Sequence, residues 1–308
     1  MTNLRAYAQL VRLPNVFTAV ADIGMAGLAS GALLNEPSAG AWWALGCLLA
    51  ASACLYCAGM VWNDVFDVEQ DRQERPHRPL PAGRVRRKDA IRFGAVLLAA
   101  GLSLAALAGW DDYRLRTTPL VLAGLLAAAI LLYDGWLKGT WLGPMAMGAC
   151  RFLNVLLGLS VVPGPFRAWG LGLALCVGVY IAGVTWFART EARTSNRDAL
   201  IAAAMVMLAG LLQAFALPVL AAGRPEPVTT SPLFPYLLVA YGFAVGLPLV
   251  RAINHPSPVR VQAAVKTAVL GLIAFDAILA TALAGNVGLI LLILLLPAVY
   301  LGRWLYST

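Results

Sequence analysis

The densest chemistry in this sequence is the run Asn63-Asp64-x-x-Asp67-x-x-x-Asp71. Residues three and four apart share one face of a helix, so the spacing predicts three stacked carboxylates. Carboxylates placed that way repel one another unless a cation lies between them. An all-oxygen set suits a hard divalent ion, and Mg²⁺ typically takes one or two carboxylates and completes its shell with substrate phosphates. The run closes a long apolar stretch, where ionisable groups are expensive and functional by default. The plain alternative is a solvated acidic helix end, which so regular a spacing disfavours.

A basic loop follows at once: Arg75-Pro-His-Arg78-Pro-Leu-Pro-Ala-Gly83-Arg84. Prolines hold such a loop open, and guanidinium groups offer planar donors that match phosphate oxygens. Ordinary loop charge accounts for Arg86, Arg87 and Lys88. Arg75 and Arg78, fixed beside prolines and an acidic cluster, read better as phosphate ligands.

The elements that must position these residues are membrane helices. Of the 308 residues, 60% are apolar and only 12% charged, about half the charged share of a soluble domain. Mean hydropathy is +0.77. A hydrocarbon core needs ~20 apolar residues per helix. That measure places candidate spans near 14–34, 41–62, 91–109, 118–134, 142–162, 168–188, 199–221, 232–250, 262–284 and 286–306. The last two are joined by little more than Gly285 and Asn286, so one of them is a candidate re-entrant or tilted segment. The expectation is an all-α polytopic bundle of about nine or ten helices around a central cavity, forming one membrane domain over 1–308.

The net charge of +8 raises nucleic acid as a partner. The basic residues are confined to loops between apolar runs, without interleaved aromatics, and that excludes it. With ten spans, every Lys and Arg except Arg114, Arg116, Arg167 and Arg224 falls on one face. The bias puts both termini and the 63–92 loop in the cytoplasm. The first apolar stretch lacks a cleavage site and reads as a retained span. The five cysteines lie within apolar runs; Cys54 and Cys57, with no second Cys or His pair nearby, read as small core side chains.

Positions 63 to 84 resemble, at almost every defining position, the N-D-x-x-D-x-x-x-D and R-P-x-R-P-[LI]-x-x-G-R signature of the UbiA superfamily of intramembrane prenyltransferases. Leu10-Val-Arg12-Leu-Pro14-Asn15 resembles that family's entry to its first helix. Tyr133 and Lys138 resemble its Y-x-x-x-x-K, and the segment from Pro256 to Lys266 its late loop. The resemblance implies Mg²⁺-dependent transfer of a prenyl group from an isoprenoid diphosphate to an unidentified acceptor, inside a bacterial cell membrane. It implies that Asp64, Asp67, Asp71 and Lys138 are catalytic, and that Asn63, Arg75, Arg78, Tyr133 and Arg189 bind substrate.

The second aspartate cluster of that family departs from pattern. Here Glu191, Thr194 and Asp198 keep the three-four spacing. Glu191 and Asp198 are the candidate ligands of a second Mg²⁺, and Arg189, Arg193 and Arg197 crowd the same segment. The variant resembles the EboC-like branch of the superfamily. It also leaves open a carrier or scaffold that kept the fold and lost a metal site. Membrane phosphotransferases of nucleotide-activated alcohols need a D-G-x-x-A-R core, which is absent. Asp22, Asp134, Asp276, Arg151 and Asn154 fall within or at the ends of spans, where they either line the cavity or pair with one another.

Overall fold

The computed structural model describes residues 2–34, 38–111, 114–189, 196–224 and 229–305. It consists of α1 (Thr2–Leu10), α2 (Leu13–Ala29), α3 (Ala39–Phe66), α4 (Val68–Glu74), α5 (Arg87–Ala108), α6 (Thr118–Leu132), α7 (Gly143–Leu159), α8 (Ala168–Ala188), α9 (Arg197–Ala214), α10 (Leu217–Ala221), α11 (Phe234–Asn254), α12 (Pro258–Ala284) and α13 (Leu295–Leu305). Besides helices, the described residues hold a two-residue hairpin, Trp110–Asp111 against Arg114–Leu115, between α5 and α6.

The long helices close a ring. Around it α3 packs on α5, α5 on α6, α6 on α7, α7 on α8, α8 on α9, α9 on α11, α11 on α12, α12 on α2 and α2 back on α3. Helices in lipid gain nothing by hiding Leu from hydrocarbon, so their contacts depend on small residues that let backbones approach. The α7–α8 seam is an example, because a Cβ on Gly148 would stand 2.5 Å from the Gly178 carbonyl oxygen. At the α8–α9 seam a Cβ on Gly183 would stand 2.6 Å from the Met207 nitrogen. Leu, Val, Ile and Phe side chains turn outward over much of α6, α9 and α11, as a lipid-facing surface requires. Exposed Trp42 and Trp43 at the start of α3, and Trp136 and Trp141 beyond α6, sit at helix ends like interfacial anchors.

Each apolar run of the sequence has a helical counterpart, and the chain is an integral membrane protein. The last run differs from a simple tenth helix. At Gly285 the backbone takes φ +66°, and a 3₁₀ segment over Gly285–Leu294 folds back on α12 before α13 begins. Gly288 lies so close to Ala280 and Thr281 that a Cβ would stand 2.7 Å from the Thr281 nitrogen. Hydropathy marks such a segment as apolar but carries no information on helix type.

α3 governs the site. Ser38 caps it, accepting from the Ala41 N–H at 3.0 Å. Its 28 residues run ~42 Å, longer than the ~30 Å hydrocarbon core. The acidic end of α3 therefore stands at the membrane boundary.

Candidate active site

The aspartate run straddles a break between two helices. Asn63 and Asp64 end α3, Asp67 is the joint, and Asp71 belongs to α4. Asp67 adopts φ −89° and ψ 3°, in the sparsely used bridge region where active-site residues are found. The helical hydrogen bonds nevertheless run through the joint, from Asp67 N–H to the Asn63 carbonyl and from Asp71 N–H to that of Asp67. The three carboxylates thus keep one helical phase.

Every one of them is met by a cation of the chain itself. Arg78 donates to both oxygens of Asp71 at 3.0 and 2.8 Å and reaches Asp64 at 3.4 Å. Arg12 approaches Asp64 at 3.2 Å and the Asn63 side-chain oxygen at 3.3 Å. Lys138 pairs with Asp67. The repulsion expected from the spacing is relieved by side chains from elements far apart in sequence. Arg78 is buried with its partners and also lines the polar cavity beside them, so it grips the carboxylates at the edge of that cavity.

Arg12 occupies the joint between α1 and α2 with φ +48° and ψ 51°. This is the left-handed region, uncommon for a residue other than glycine, and Pro14 starts the next helix two residues on. Burial works against its charge, but Asp64 and the neighbouring Tyr56 and Asp134 more than offset that, holding the guanidinium above its ordinary range. Lys138 ends a π-turn, Tyr133–Leu137, that continues α6; such turns are frequent at functional sites. Within that turn Asp134 accepts from Asn63 Nδ2 at 3.0 Å. The basic loop is folded down by Arg84, which donates to Gln9 and to the His77 carbonyl, both at 2.7 Å.

These groups surround a polar cavity of about 660 Å³, whose wall includes Asn63, Asp67, Arg75, Tyr133, Lys138 and Arg189. Beneath it lies an apolar chamber of about 240 Å³, lined by side chains such as Met60, Leu126, Ile130, Met147 and Ile181. Arg12, Asn15, Tyr133 and Thr185 belong to both walls. A charged mouth therefore opens on a greasy pocket.

The second motif is not brought to this cluster among the described residues. Glu191, Arg193 and Thr194 lie outside them. Asp198 is exposed in the first turn of α9, its N–H donating to the Asn196 cap at 2.8 Å, where a negative charge favours the helix end. Arg189 is exposed and donates to the Gly139 carbonyl at 3.3 Å. Among the described residues, no three His, Cys, Asp or Glu side chains converge as a self-sufficient metal site. The donor chemistry still fits Mg²⁺: the oxygens are hard, the chain's own cations sit where compensating charge is needed, and Mg²⁺ ordinarily borrows substrate phosphate oxygens. Sequence reasoning gave Arg12 no role in the site, its one local sign being the conjunction with Pro14 and Asn15, and it left Asp134 between lining the cavity and pairing with a neighbour.

A model of the UbiA prenyltransferase family matches residues 24–261 of the chain. A digeranylgeranylglyceryl phosphate synthase of Methanopyrus kandleri is 32% identical over 167 residues, covering 52% of this chain and 56% of that protein. A protoheme IX farnesyltransferase of Synechococcus sp. is 31% identical over 183 residues, covering 54% and 48%. The chain spans about half the length of these curated relatives. A solved structure concerning digeranylgeranylglyceryl phosphate synthase shares the fold with TM-score 0.64 at 20% identity, over 92% of this chain and 99% of that one. A UbiA homologue from Archaeoglobus fulgidus bound to GPP and Mg²⁺ does so with TM-score 0.63 at 14% identity, over 89% and 99%.

Proposed function

The chain belongs to the UbiA prenyltransferase family, and we propose that it transfers a prenyl group from an isoprenoid diphosphate to an acceptor within the membrane. One observation carries this reading: Arg12, Arg75, Arg78, Lys138 and Arg189 gather with Asp67 around a polar mouth that shares part of its wall with an apolar chamber. The diphosphate head of a prenyl donor matches the mouth, and the chamber offers apolar surroundings for the allylic carbon next to it.

The diphosphate binds in the mouth, where Arg75, Arg189 and Lys138 face it and Arg12 reaches it from below. Asp64, Asp67 and Asp71 would hold Mg²⁺, with Glu191 and Asp198 as candidates for a second ion, and Asn63 would bind substrate beside them. Bound Mg²⁺ supplies neutralising charge to the diphosphate and so makes it a better leaving group. Lys138 and the arginines stabilise the negative charge that grows on the leaving oxygen, which is where fixed charges accelerate a reaction. The allylic C–O bond breaks with its electron pair departing on diphosphate. The allylic carbon bonds to the acceptor's nucleophilic atom, whose proton passes to the released diphosphate. Tyr133, at the boundary of mouth and chamber, presents a ring to the carbon that becomes electron-poor. The apolar chamber keeps water from capturing that carbon. Arg78 acts through Asp64 and Asp71 as a positioning residue.

The strong bias of Lys and Arg toward the loops at this end supports a mouth on the cytoplasmic face. A carrier or scaffold has no use for a lysine fixed on Asp67, and that weighs against the alternative reading.

The test is to reconstitute the protein in liposomes of mixed membrane lipid and offer geranyl, farnesyl and geranylgeranyl diphosphate with a panel of phenols, quinols and alcohols. Mg²⁺-dependent formation of a prenylated product, lost in Asp67→Asn, is the expected result. Failure of a folded protein to consume any of the three diphosphates in the presence of Mg²⁺ would overturn the reading.

A further inference from the structure

The floor of the apolar chamber is polar. Arg151 and Asn154 of α7 meet Ser52 and Tyr56 of α3 there. Arg151 donates to Asp22 Oδ2 at 2.9 Å and to Thr18 Oγ at 2.7 Å. Asn154 donates to the same Asp22 oxygen at 2.8 Å, and its own oxygen accepts from Ser52 at 2.7 Å. The Arg151 guanidinium also lies 5.8 Å from the centre of the Tyr56 ring.

Behind this floor, Asp22 of α2 and Asp276 of α12 are both fully buried. Asp22 Oδ1 and both Asp276 oxygens meet no N–H or O–H donor among the described residues, and the two carboxyls are in contact with each other. The positive charge of Arg151 is opposed by Asp22 at 2.9 Å. Arg12, the other guanidinium on the chamber wall, is opposed by Asp64 at 3.2 Å. The remaining acidic side chain on that wall is Asp134. Of the two cations facing the chamber, Arg12 is thus turned to Asp64 and the mouth, and Arg151 to Asp22.

We propose that this floor is the acceptor subsite, and that it selects an uncharged acceptor carrying hydroxyl or carbonyl groups over one carrying a carboxylate or phosphate. The inference rests on the prenyl-transfer reading and names the acceptor class for it. Arg151 has five N–H donors, of which those not turned to Asp22 and Thr18 are available to a neutral oxygen, beside the Tyr56 and Ser52 hydroxyls. An anion at the floor would lose its hydration, find the Arg151 charge already offset by Asp22, and face the Asp134 carboxyl. A neutral polar group anchored at the floor leaves the other end of the acceptor directed at the mouth, where the allylic carbon lies.

The test uses reconstituted protein loaded with Mg²⁺ and an unreactive geranyl thiolodiphosphate. The probes are 4-hydroxybenzyl alcohol and 4-hydroxybenzoate, which differ in the charge of one group, titrated by calorimetry. The alcohol is expected to bind at least about tenfold more tightly, the equivalent of one good hydrogen bond. Equal affinities, a preference for the carboxylate, or no binding of either probe would overturn the proposal. In Asp22→Asn/Asp276→Asn the Arg151 charge is uncommitted, and the order of the two probes should reverse. A folded double variant that still prefers the alcohol counts against the charge balance and against the proposal. Should that variant fail to fold, the wild-type order alone decides. Loading with the thiolodiphosphate is measured first, so failure at that step is separately visible as failure of the prenyl-transfer reading.

Discussion

Lys138, at the end of the π-turn that continues α6, forms an ion pair with Asp67, the joint between α3 and α4 and 71 residues earlier in the chain. Both side chains are partly open to the mouth, at 26% and 20% exposure. A half-exposed pair of this kind contributes at most about 1 kcal/mol to stability. Its removal should therefore tell on chemistry rather than folding. Asp67→Asn and Lys138→Met are each expected to lower prenyl-transfer turnover by about a hundredfold or more, with thermal stability in detergent nearly unchanged. Parallel measurement of kcat and of the melting temperature checks this.

Asp71 and Arg78 behave in the opposite way. Their side chains are only 3% and 8% exposed, so truncating one leaves an uncompensated buried charge. Asp71→Ala should cost roughly 3–5 kcal/mol of stability, visible as a large fall in melting temperature. A variant that replaces the whole pair, Asp71→Leu/Arg78→Met, should recover much of that loss without recovering activity. Full activity in the folded double variant would remove Arg78 from its positioning role.

The contrast shows what was legible in the sequence and what was not. The phase of Asp64, Asp67 and Asp71 could be read because it is a property of a few consecutive residues on one helix. The identity of the compensating cations could not, because Arg12 reaches Asp64 across 52 positions and Lys138 arrives from a separate helix. For the same reason the sequence offers Arg78 as a phosphate ligand and does not show that it also grips Asp64 and Asp71. The buried Asp22, Asp276, Arg151 and Asn154 are conspicuous in apolar runs, yet only packing decides that they meet one another. Apolar runs located the helices well; they marked the segment after Gly285 as a candidate re-entrant or tilted one, but hydropathy is blind to its 3₁₀ turn-back and to the break of the 199–221 run into α9 and α10. Glu191 and Thr194 of the second motif fall outside the described residues.

Arg12 offers a test of geometry against charge. Its guanidinium reaches Asn63 and Asp64 together, which a single ammonium cannot reproduce. Arg12→Lys should weaken geranyl diphosphate binding by about tenfold, the equivalent of one charge-assisted hydrogen bond. Isothermal titration in the presence of Mg²⁺ reads this directly, and an unchanged affinity would reduce Arg12 to a simple positive charge.

The α7–α8 seam tests the packing that keeps the chamber closed. A Cβ at position 148 would stand 2.5 Å from the Gly178 carbonyl oxygen, so Gly148→Ala must push two backbones apart. Overpacking of this kind costs about 1–3 kcal/mol. The variant should melt earlier, and since Met147 and Cys150 of the same helix line the chamber, its product should form more slowly.

The most direct test of the account is binding of geranyl and longer prenyl diphosphates to the purified protein with and without Mg²⁺, in wild type and in Asp67→Ala. The account predicts tight binding that requires Mg²⁺ and is lost in the variant while its fold survives. Absence of binding by folded wild-type protein, or binding indifferent to both Mg²⁺ and Asp67, would contradict it.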